Sequence, residues 1–311
     1  MTGDELKNLY KRPTSIPFPS DNLYSTEKAA LGKMLFFDPR LSQNFNMTCA
    51  TCHNPSFGWE DATKTSIGSQ NTALPRHSPT IINMAWGDTF FWDGRAKTLE
   101  EQAGGPIESE VELNMPFAKV VSRLSKVPQY QNWFKHAFGP SGISAENIRK
   151  AIATYERTIV SGLAPFDLWI EGDESAISAS AKRGFTLFNG KAACADCHQG
   201  WNFTDNQFHD IGLYGEDKGL GTLTKNPKDN FAFKTPGLRN IGQRAPYMHD
   251  GRFESLITVV THYVGGVINR DSLSTKLKTI SLTVEEIKDL ENFMMTLTGQ
   301  DTPVTLPILP Y

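Results

Sequence analysis

Two stretches, Cys49-Ala50-Thr51-Cys52-His53 and Cys194-Ala195-Asp196-Cys197-His198, decide the fold of this 311-residue chain. Each repeats the pattern Cys-x-x-Cys-His, in which two thioether bonds fix a haem edge and the adjacent histidine reaches the iron. A lone Cys-x-x-Cys is equally typical of a redox dithiol or of half a zinc site. Two complete copies, each followed by histidine, favour covalent haem attachment over these alternatives.

The two motifs contain all four cysteines of the chain. No thiol therefore remains for a disulfide, a zinc site or a nucleophile. The sequence predicts two covalently bound haems of the c type, attached through Cys49, Cys52, Cys194 and Cys197, with iron ligands His53 and His198.

The haem motifs also bear on localisation. Attachment of this kind normally takes place outside the cytoplasmic membrane. The chain opens Met1-Thr2-Gly3-Asp4-Glu5, without the basic start and apolar core of a secretory signal. We therefore expect the mature form of a periplasmic protein.

Composition excludes several classes of partner. The formal net charge is -3, and no run of lysine and arginine with interleaved aromatics appears, so nucleic acid is not an expected partner. No apolar stretch approaches the roughly 18 residues that span a bilayer, so membrane insertion is not expected either. The length favours two domains over one.

The regions that precede the two motifs look like an internal repeat. Gly32-Lys33-Met34-Leu35-Phe36 precedes the first motif, and Gly184-Phe185-Thr186-Leu187-Phe188 precedes the second. Each stretch belongs to an amphipathic helix that is predicted to begin at a small polar residue, near Ser25 in one case and near Ser178 in the other. Each haem is therefore expected in a similar unit.

Apolar periodicity predicts further helices over about 146–161 and about 284–298, the second with a capping box of Thr283 and Glu286. Long loops that contain glycine and proline separate the helices, which suits small cytochromes whose haem supplies part of the apolar core. We expect a mainly α fold with long loops and two cytochrome c-like domains, each wrapped around one haem. The predicted domains are residues 1–163 and 164–311.

A series of motifs, in order along the chain, gives the sequence a specific resemblance. The motifs are Phe91-Trp92-Asp93-Gly94-Arg95-Ala96, Leu99-Glu100-Glu101-Gln102-Ala103, Val111-Glu112-Leu113-Asn114-Met115 and Ala245-Pro246-Tyr247-Met248-His249-Asp250-Gly251. Together with the haem motifs, they resemble the bacterial di-haem cytochrome c peroxidase and MauG superfamily. The resemblance covers about residues 31–299.

This resemblance implies an N-terminal haem that reacts with peroxide and a C-terminal haem that stores or relays oxidising equivalents. It implies that Trp92 lies between the haems, that Gln102 and Glu112 belong to the distal pocket, and that Pro106 packs beside the reactive haem. The chemistry of Glu112 agrees, because peroxide cleavage requires a proton to move between the two oxygens, and a carboxyl group in an apolar pocket can carry it. The alternatives are a solvated carboxylate for Glu112 and a core aromatic for Trp92.

One departure from the family pattern concerns the N-terminal haem. Ordinary peroxidases of the family have a histidine that blocks this haem until reduction releases it, and Ser69 stands at that position. A serine hydroxyl is a poor iron ligand, so we expect this haem to be open without reductive activation. His77 stands where relatives often have an asparagine of a calcium site, so calcium binding stays open. A structural role for His77 is favoured over a role as a replacement gate.

The second departure concerns the distal ligand of the C-terminal haem, a methionine in ordinary peroxidases. Tyr263 stands at that position, as in MauG-like enzymes. An anionic phenolate favours high-valent iron, which suits the storage of an oxidising equivalent. His262 is the competing ligand, but neighbours on a helix point about 100° apart, so only one of the two faces the iron. We assign Tyr263.

These residues predict a MauG-like di-haem enzyme in which hydrogen peroxide generates a high-valent di-haem state. That state is expected to oxidise a Trp or Tyr side chain of a partner protein by long-range electron transfer. Ala192 replaces the tryptophan that relays holes in MauG, so the route and the substrate need not be those of MauG.

Two other functions remain as alternatives. The first is a cytochrome c peroxidase that reduces hydrogen peroxide with electrons from a small cytochrome c or cupredoxin. The second is an electron-transfer cytochrome without catalysis. Ser69 and Glu112 argue against the second alternative, because a carrier normally has both irons closed.

Overall fold

The computed structural model describes residues 3–311, apart from the side chain of Asp4. Its α-helices are α1 Gly3–Asn8, α2 Thr26–Phe36, α3 Cys49–Cys52, α4 Leu99–Glu108, α5 Phe117–Leu124, α6 Pro128–Phe138, α7 Ala145–Arg157, α8 Pro165–Ile170, α9 Ala179–Asn189, α10 Gly221–Thr224, α11 Leu256–Thr261 and α12 Val284–Met295. Two antiparallel strands, β1 Phe208–Asp210 and β2 Ala232–Lys234, pair with Phe208 opposite Lys234. Short 3₁₀ turns include Met84–Trp86 and Cys194–Asp196, and His262–Gly266 form a π-helical turn.

The chain forms two compact units. The N-terminal unit contains Ser15–Phe90, Ala96–Val160 and Pro303–Tyr311. The C-terminal unit contains Ser161–Thr302, Phe91–Arg95 and the described residues up to Thr14. Three segments therefore pack with the unit that is distant from them in sequence: residues 3–14, Phe91–Arg95 and Pro303–Tyr311. The domain limits at residues 163 and 164 stay a prediction.

Helices α2 and α7 cross in the N-terminal unit at Gly32. A β-carbon there would lie 1.9 Å from the carbonyl oxygen of Ala151 and 2.8 Å from Cβ of Tyr155, so only glycine allows this approach. Ser25 caps α2 as predicted, because its hydroxyl accepts a hydrogen bond from the Lys28 amide. The surrounding core includes the buried residues Leu31, Leu35, Phe36, Ile148 and Ile152.

Helices α9 and α12 cross in the C-terminal unit at Gly184 in the same way. A β-carbon there would lie 2.0 Å from the carbonyl oxygen of Asp289 and 2.6 Å from Cβ of Phe293. Ser178 caps α9, and Thr283 with Glu286 forms the predicted capping box of α12. The internal repeat therefore corresponds to two helix pairs, α2 with α7 and α9 with α12. The helices of each pair cross at a glycine. An aromatic core packs beside the second pair and contains Tyr10, Phe166, Phe185, Phe188, Phe203 and Phe293.

The helix predicted over 146–161 ends earlier than expected, at Arg157. Thr158, Ile159 and Val160 are β-branched and favour leaving the helix. The Ile159 carbonyl instead accepts a hydrogen bond from the Asn83 amide. Over residues 3–311, the structure contains no helix of the length and apolarity that a membrane span requires.

Candidate haem-binding sites

The first Cys-x-x-Cys-His motif forms the single turn α3 in the N-terminal unit. The Thr48 amide donates to the hydroxyl of Thr51, and the His53 amide donates to the carbonyl of Cys49, which hold both cysteines on one turn. The two sulfurs are three residues apart and therefore lie on the same side of this turn. Both cysteines are half-buried.

His53 is oriented by its own loop. Its Nδ1 donates to the carbonyl oxygen of Trp59 across 3.2 Å, which leaves Nε2 as the nitrogen that can bind iron. Burial lowers the pKa of His53, although the hydrogen bond to Trp59 opposes this shift. The neutral imidazole, which is the form that ligates iron, is therefore favoured.

The second motif has the same arrangement in the C-terminal unit. Cys194–Asp196 form a 3₁₀ turn, and the His198 amide donates to the carbonyl of Cys194. Nδ1 of His198 donates to the carbonyl oxygen of Phe203 across 2.9 Å. Burial lowers the pKa of His198 as well. Both histidines therefore present the Nε2 that a haem iron requires.

Helix α4 positions the predicted distal residues of the N-terminal unit. Gln102 and Pro106 are four residues apart and share one face of α4. Proline has no amide hydrogen, so it leaves the Gln102 carbonyl without its usual helical donor. After α4 the chain folds back, because the amide of Leu113 donates to the Pro106 carbonyl across 3.0 Å. This return brings the segment of Glu112 alongside Pro106.

Ser69 lies beside the same segment. Its amide donates to the Glu112 carbonyl across 2.9 Å, and a β-carbon on Gly68 would lie 1.7 Å from the carbonyl oxygen of Val111. Ser69 is 6% exposed, and its hydroxyl oxygen has no hydrogen-bond partner among the described residues. A buried hydroxyl without a partner is costly unless a bound group faces it. The hydroxyl therefore fits a pocket that a haem and its distal ligand would fill.

Electrostatics place Glu112 near the first haem motif. Burial is the main cause that raises the pKa of the Cys52 thiol to about 11, and the charge of Glu112 adds to this shift. The charge of Glu112 also acts on Cys49. Glu112 is half-buried. The charge of Glu112 thus acts on the N-terminal motif, and Ser69 is hydrogen-bonded to the Glu112 backbone. The predicted places of Gln102 and Pro106 beside the haem stay a prediction.

His77 is buried and both of its ring nitrogens contact protein groups. Nδ1 donates to the Thr63 carbonyl across 2.8 Å, and Nε2 lies 3.0 Å from a carboxylate oxygen of Glu60. Burial alone lowers the pKa of His77, but the hydrogen bond and charge of Glu60 outweigh burial and raise it. These contacts suit a structural role for His77 rather than iron ligation.

The two candidate axial ligands of the second haem lie on the π-helical turn His262–Gly266, a rare conformation that often occurs at functional sites. Tyr263 is half-buried here, and burial raises the pKa of its phenol, with a further increase from the sulfurs of Cys194 and Cys197. His262 is instead held by its Nε2, which donates to the Ile211 carbonyl across 2.9 Å. This difference favours Tyr263 over His262 as the axial ligand.

Trp92 belongs to the C-terminal unit although it precedes that unit in sequence. Its carbonyl accepts a hydrogen bond from the Lys234 amide across 2.8 Å, which ties Phe91–Arg95 to β2. Gly94 has φ +72°, and a β-carbon there would lie 2.3 Å from the ring of Phe208. The predicted position of Trp92 between the haems stays a prediction. Ala192 is buried in the aromatic core of this unit.

The buried Arg239 is a candidate site residue that sequence reasoning missed. Its guanidinium pairs with Asp167 across 2.7 Å, and its Nε donates to the Trp201 carbonyl. Within residues 3–311, Nη2 has no hydrogen-bond partner, and the guanidinium lies 5.3 Å from the ring of Phe203. Because the Phe203 carbonyl orients His198, the unpartnered Nη2 of Arg239 belongs to a side chain that packs beside the second haem motif. A haem carboxylate is a group that would satisfy it.

A polar group also borders the second motif. Ligand atoms of Cys197, Asp205 and His209 lie within 4.8 Å of one another. The imidazole of His209 contacts Asp205 across 2.9 Å, and Lys276 contacts the same carboxylate across 2.7 Å. Since Cys197 belongs to the haem motif, this group forms a polar edge of that site.

Two Cys-x-x-Cys-His motifs, one in each unit and each with an oriented histidine, define a cytochrome with two c-type haem sites. Residues 26–175 match the family described as di-haem cytochrome c peroxidase. The chain is 50% identical to the methylamine utilization protein MauG of Methylorubrum extorquens, over 98% of this chain and 88% of that protein. It is 35% identical to the cytochrome c551 peroxidase of Pseudomonas aeruginosa, over 92% of this chain and 83% of that protein.

The fold agrees with a crystal structure described as that of a MauG-like protein associated with microbial copper homeostasis. The TM-score is 0.86 at 31% identity, over 94% of this chain and 95% of that one. The chain belongs to the di-haem cytochrome c peroxidase family. It is accordingly a haem-dependent oxidoreductase that uses peroxide, with a mainly α fold and two cytochrome c-like domains, as the sequence predicts.

Proposed function

We propose that this chain is a periplasmic MauG-like enzyme that uses hydrogen peroxide to oxidise a Trp or Tyr side chain of a partner protein. The observation that carries the proposal is the contrast between two neighbouring residues. Tyr263 lies within the electrostatic reach of Cys194 and Cys197, whereas His262 is bound to the Ile211 carbonyl. A tyrosine ligand to the second haem suits storage of an oxidising equivalent.

Two haems would be attached through Cys49 and Cys52 in one unit and through Cys194 and Cys197 in the other. His53 would ligate the first iron, and His198 with Tyr263 the second. When bound, the haems supply the reaction with peroxide and hold the two oxidising equivalents. Ser69 would not ligate the first iron, because a serine hydroxyl is a poor iron ligand, so peroxide could bind there.

The residues around α4 handle peroxide and its protons. Glu112 takes the proton from one peroxide oxygen and returns it to the other, so that water can leave. The amide of Gln102 orients the peroxide by hydrogen bonding, and Pro106 limits the space for water. The hydrogen bond from the Ser69 amide to the Glu112 carbonyl holds the backbone from which the Glu112 side chain extends.

Electrons from the partner protein reach the two sites through the chain's own aromatic residues. Trp92 carries them between the haems, since an indole can lose and regain an electron. The methyl side chain of Ala192 cannot carry them, so they follow another path than in MauG and the substrate need not be that of MauG. Calcium is not part of the proposal, because the contacts of His77 already suit a structural role.

The second candidate is a peroxidase that draws electrons from a small cytochrome c or cupredoxin. The similarity to a cytochrome c551 peroxidase over 92% of this chain favours keeping it. The two candidates differ in the source of the electrons that return the oxidised haems to their resting state. Only the peroxidase should turn over repeatedly when a reduced small cytochrome c is supplied.

Electron paramagnetic resonance and optical spectra of the ferric protein, recorded before and after peroxide, test the proposal. We expect one high-spin and one low-spin haem, and a response to peroxide without prior reduction. Tyr263→His should abolish the stored oxidising equivalent but leave the high-spin signal unchanged. Two low-spin haems without a peroxide response would refute the open site at Ser69. A Tyr263→His variant that responds to peroxide as the wild type does would refute Tyr263 as the ligand of the second haem.

A further inference from the structure

A second carboxyl group lies inside the N-terminal unit and takes no part in the proposed function. Glu156 belongs to the last turn of α7 and is 4% exposed. Its Oε2 is buried without a hydrogen-bond partner in the described part of the chain. A buried acid without a partner costs stability, so its presence calls for a physical explanation.

Glu156 acts on the first haem motif. Burial is the largest cause that raises the pKa of the Cys49 thiol, and the charge of Glu156 is the next. Its influence exceeds that of Cys52, which lies on the same turn as Cys49, and that of Glu112. The buried carboxyl group is therefore close enough to the N-terminal haem attachment for its charge to act on Cys49.

The residue that follows Glu156 in α7 lines a polar cavity. The next residue, Arg157, binds the Glu100 carboxylate through two hydrogen bonds of 2.6 and 3.0 Å. Arg157 and Glu100 line a cavity of about 520 Å³ in the N-terminal unit, together with Lys97, Arg149 and Lys150. A cavity of this size and polarity holds water. Water there can bring protons to Arg157, the residue next to Glu156 in sequence.

The charged groups around Glu156 come from the elements that pack against α7. Arg157 on α7 itself lowers the pKa of Glu156, and Glu100 on α4 raises it. Burial dominates, so the pKa rises to about 8. Lys28 on α2 faces Glu100 and Lys150.

Two other elements pack against α7. One directs its arginine to carbonyl groups outside α7, and the other has no charged residue. On α5, Arg123 points to the carbonyls of Arg40 and Ser42. The turn Met84–Trp86 carries no charged residue.

We propose that Glu156 is the proton partner of the N-terminal haem. When that haem gains one electron from an external one-electron donor, the Glu156 carboxylate takes up one proton from the water of the cavity. When the haem loses the electron, the carboxylic acid returns the proton. Each transfer keeps the buried charge constant, which avoids the cost of an uncompensated charge in the interior. The inference rests on the haem position at Cys49 and Cys52, and not on Tyr263 or the substrate.

The test is a spectroelectrochemical titration of the haem-loaded protein between about pH 6 and pH 10, the range around the pKa shift that burial produces. At pH values above the pKa of Glu156, the midpoint potential of the N-terminal haem should fall with rising pH, by up to about 59 mV per pH unit for one proton per electron. Glu156→Gln should remove this slope, and Glu156→Asp should restore a slope. Glu27→Gln, which changes an exposed glutamate on α2 that does not line the cavity, should behave as the wild type.

A slope that persists in Glu156→Gln would overturn the proposal. If that variant does not fold, the infrared difference spectrum of the wild type between its oxidised and reduced states decides. A band of a protonated carboxyl group that appears on reduction supports the inference, and its absence overturns it. Failure of the proposed function would show as a missing peroxide response, which leaves the pH slope unaffected, so the two outcomes are distinguishable.

Discussion

Replacing Gly184 with alanine should destabilise the C-terminal unit more than any gain in helix propensity can offset. The added methyl carbon would lie 2.0 Å from the Asp289 carbonyl oxygen and 2.6 Å from Cβ of Phe293. The Asp289 oxygen is a backbone atom of α12, and Cβ of Phe293 is bonded directly to that backbone. Neither atom can rotate away. The helices α9 and α12 must separate instead.

The size of the effect is set by two opposing contributions. Alanine is favoured over glycine within a helix by about 1 kcal/mol. Overpacking costs about 1–3 kcal/mol, and partial loss of core contacts around Phe185 and Phe293 approaches the roughly 2–5 kcal/mol typical of large-to-small core substitutions. We expect a net loss of about 2–4 kcal/mol in the free energy of unfolding.

Differential scanning calorimetry of the haem-loaded protein checks this expectation. At about 2–4 °C per kcal/mol for units of this size, the transition of the C-terminal unit should fall by roughly 5–15 °C. Gly32→Ala should act likewise on the N-terminal unit, where the methyl carbon would meet the Ala151 carbonyl oxygen at 1.9 Å.

Gly104→Ala is the matched control, since its nearest neighbour is the flexible side chain of Arg149 at 2.6 Å. Its stability should change by no more than about 1 kcal/mol. If Gly184→Ala were as stable as the wild type, the inference that the helix crossing depends on glycine would be refuted.

Three further predictions concern ionisable groups. Glu112→Gln should slow the reaction with peroxide by about 10²–10⁴-fold in stopped-flow measurements, because it removes the proton carrier; a rate equal to that of the wild type would exclude Glu112 from this role. The raised pKa of Glu156, about 8 in the folded chain, means that the folded state keeps a proton which the unfolded state has lost. The free energy of unfolding should therefore fall as the pH rises from about 4.5 to about 8, by up to about 1.4 kcal/mol per pH unit, and urea titrations of Glu156→Gln should show a flatter dependence. Asp167→Asn should leave the cation of buried Arg239 uncompensated and cost about 3–5 kcal/mol by chemical denaturation, whereas an effect below about 1 kcal/mol would contradict a buried ion pair.

Local features of this fold can be predicted from the sequence because they depend on neighbouring residues. The caps at Ser25, Ser178 and Thr283 each satisfy an amide three residues further on, so a short pattern is enough to identify them. The repeat around Gly32 and Gly184 is visible in the same way. Apolar periodicity places the end of α7 too late. The helix ends where a run of β-branched residues begins and where the Ile159 carbonyl accepts a hydrogen bond from the Asn83 amide.

Features that depend on distant contacts cannot be predicted in the same way. The packing of Phe91–Arg95 with the C-terminal unit depends on the bond between Trp92 and Lys234, which are far apart in sequence. The bond from His262 to the Ile211 carbonyl separates the two ligand candidates, and no periodicity reveals it. Glu156 is next in sequence to a residue of the apolar face of α7. Nothing in the surrounding sequence indicates that the Glu156 carboxyl group is buried.

The position of Tyr10 limits how this molecule can be divided for study. Its ring lies 5.0 Å from that of Phe203 and 5.3 Å from that of Phe185, and its hydroxyl donates to Asn189 across 2.6 Å. A fragment of residues 164–311 would lack this ring and leave a cavity that costs about 3–5 kcal/mol. A fragment of the N-terminal unit that begins at Ser15 and ends at Val160 would likewise be incomplete, because Pro303–Tyr311 belong to that unit. Spectra of the separate haems are therefore better obtained from full-length variants than from isolated halves.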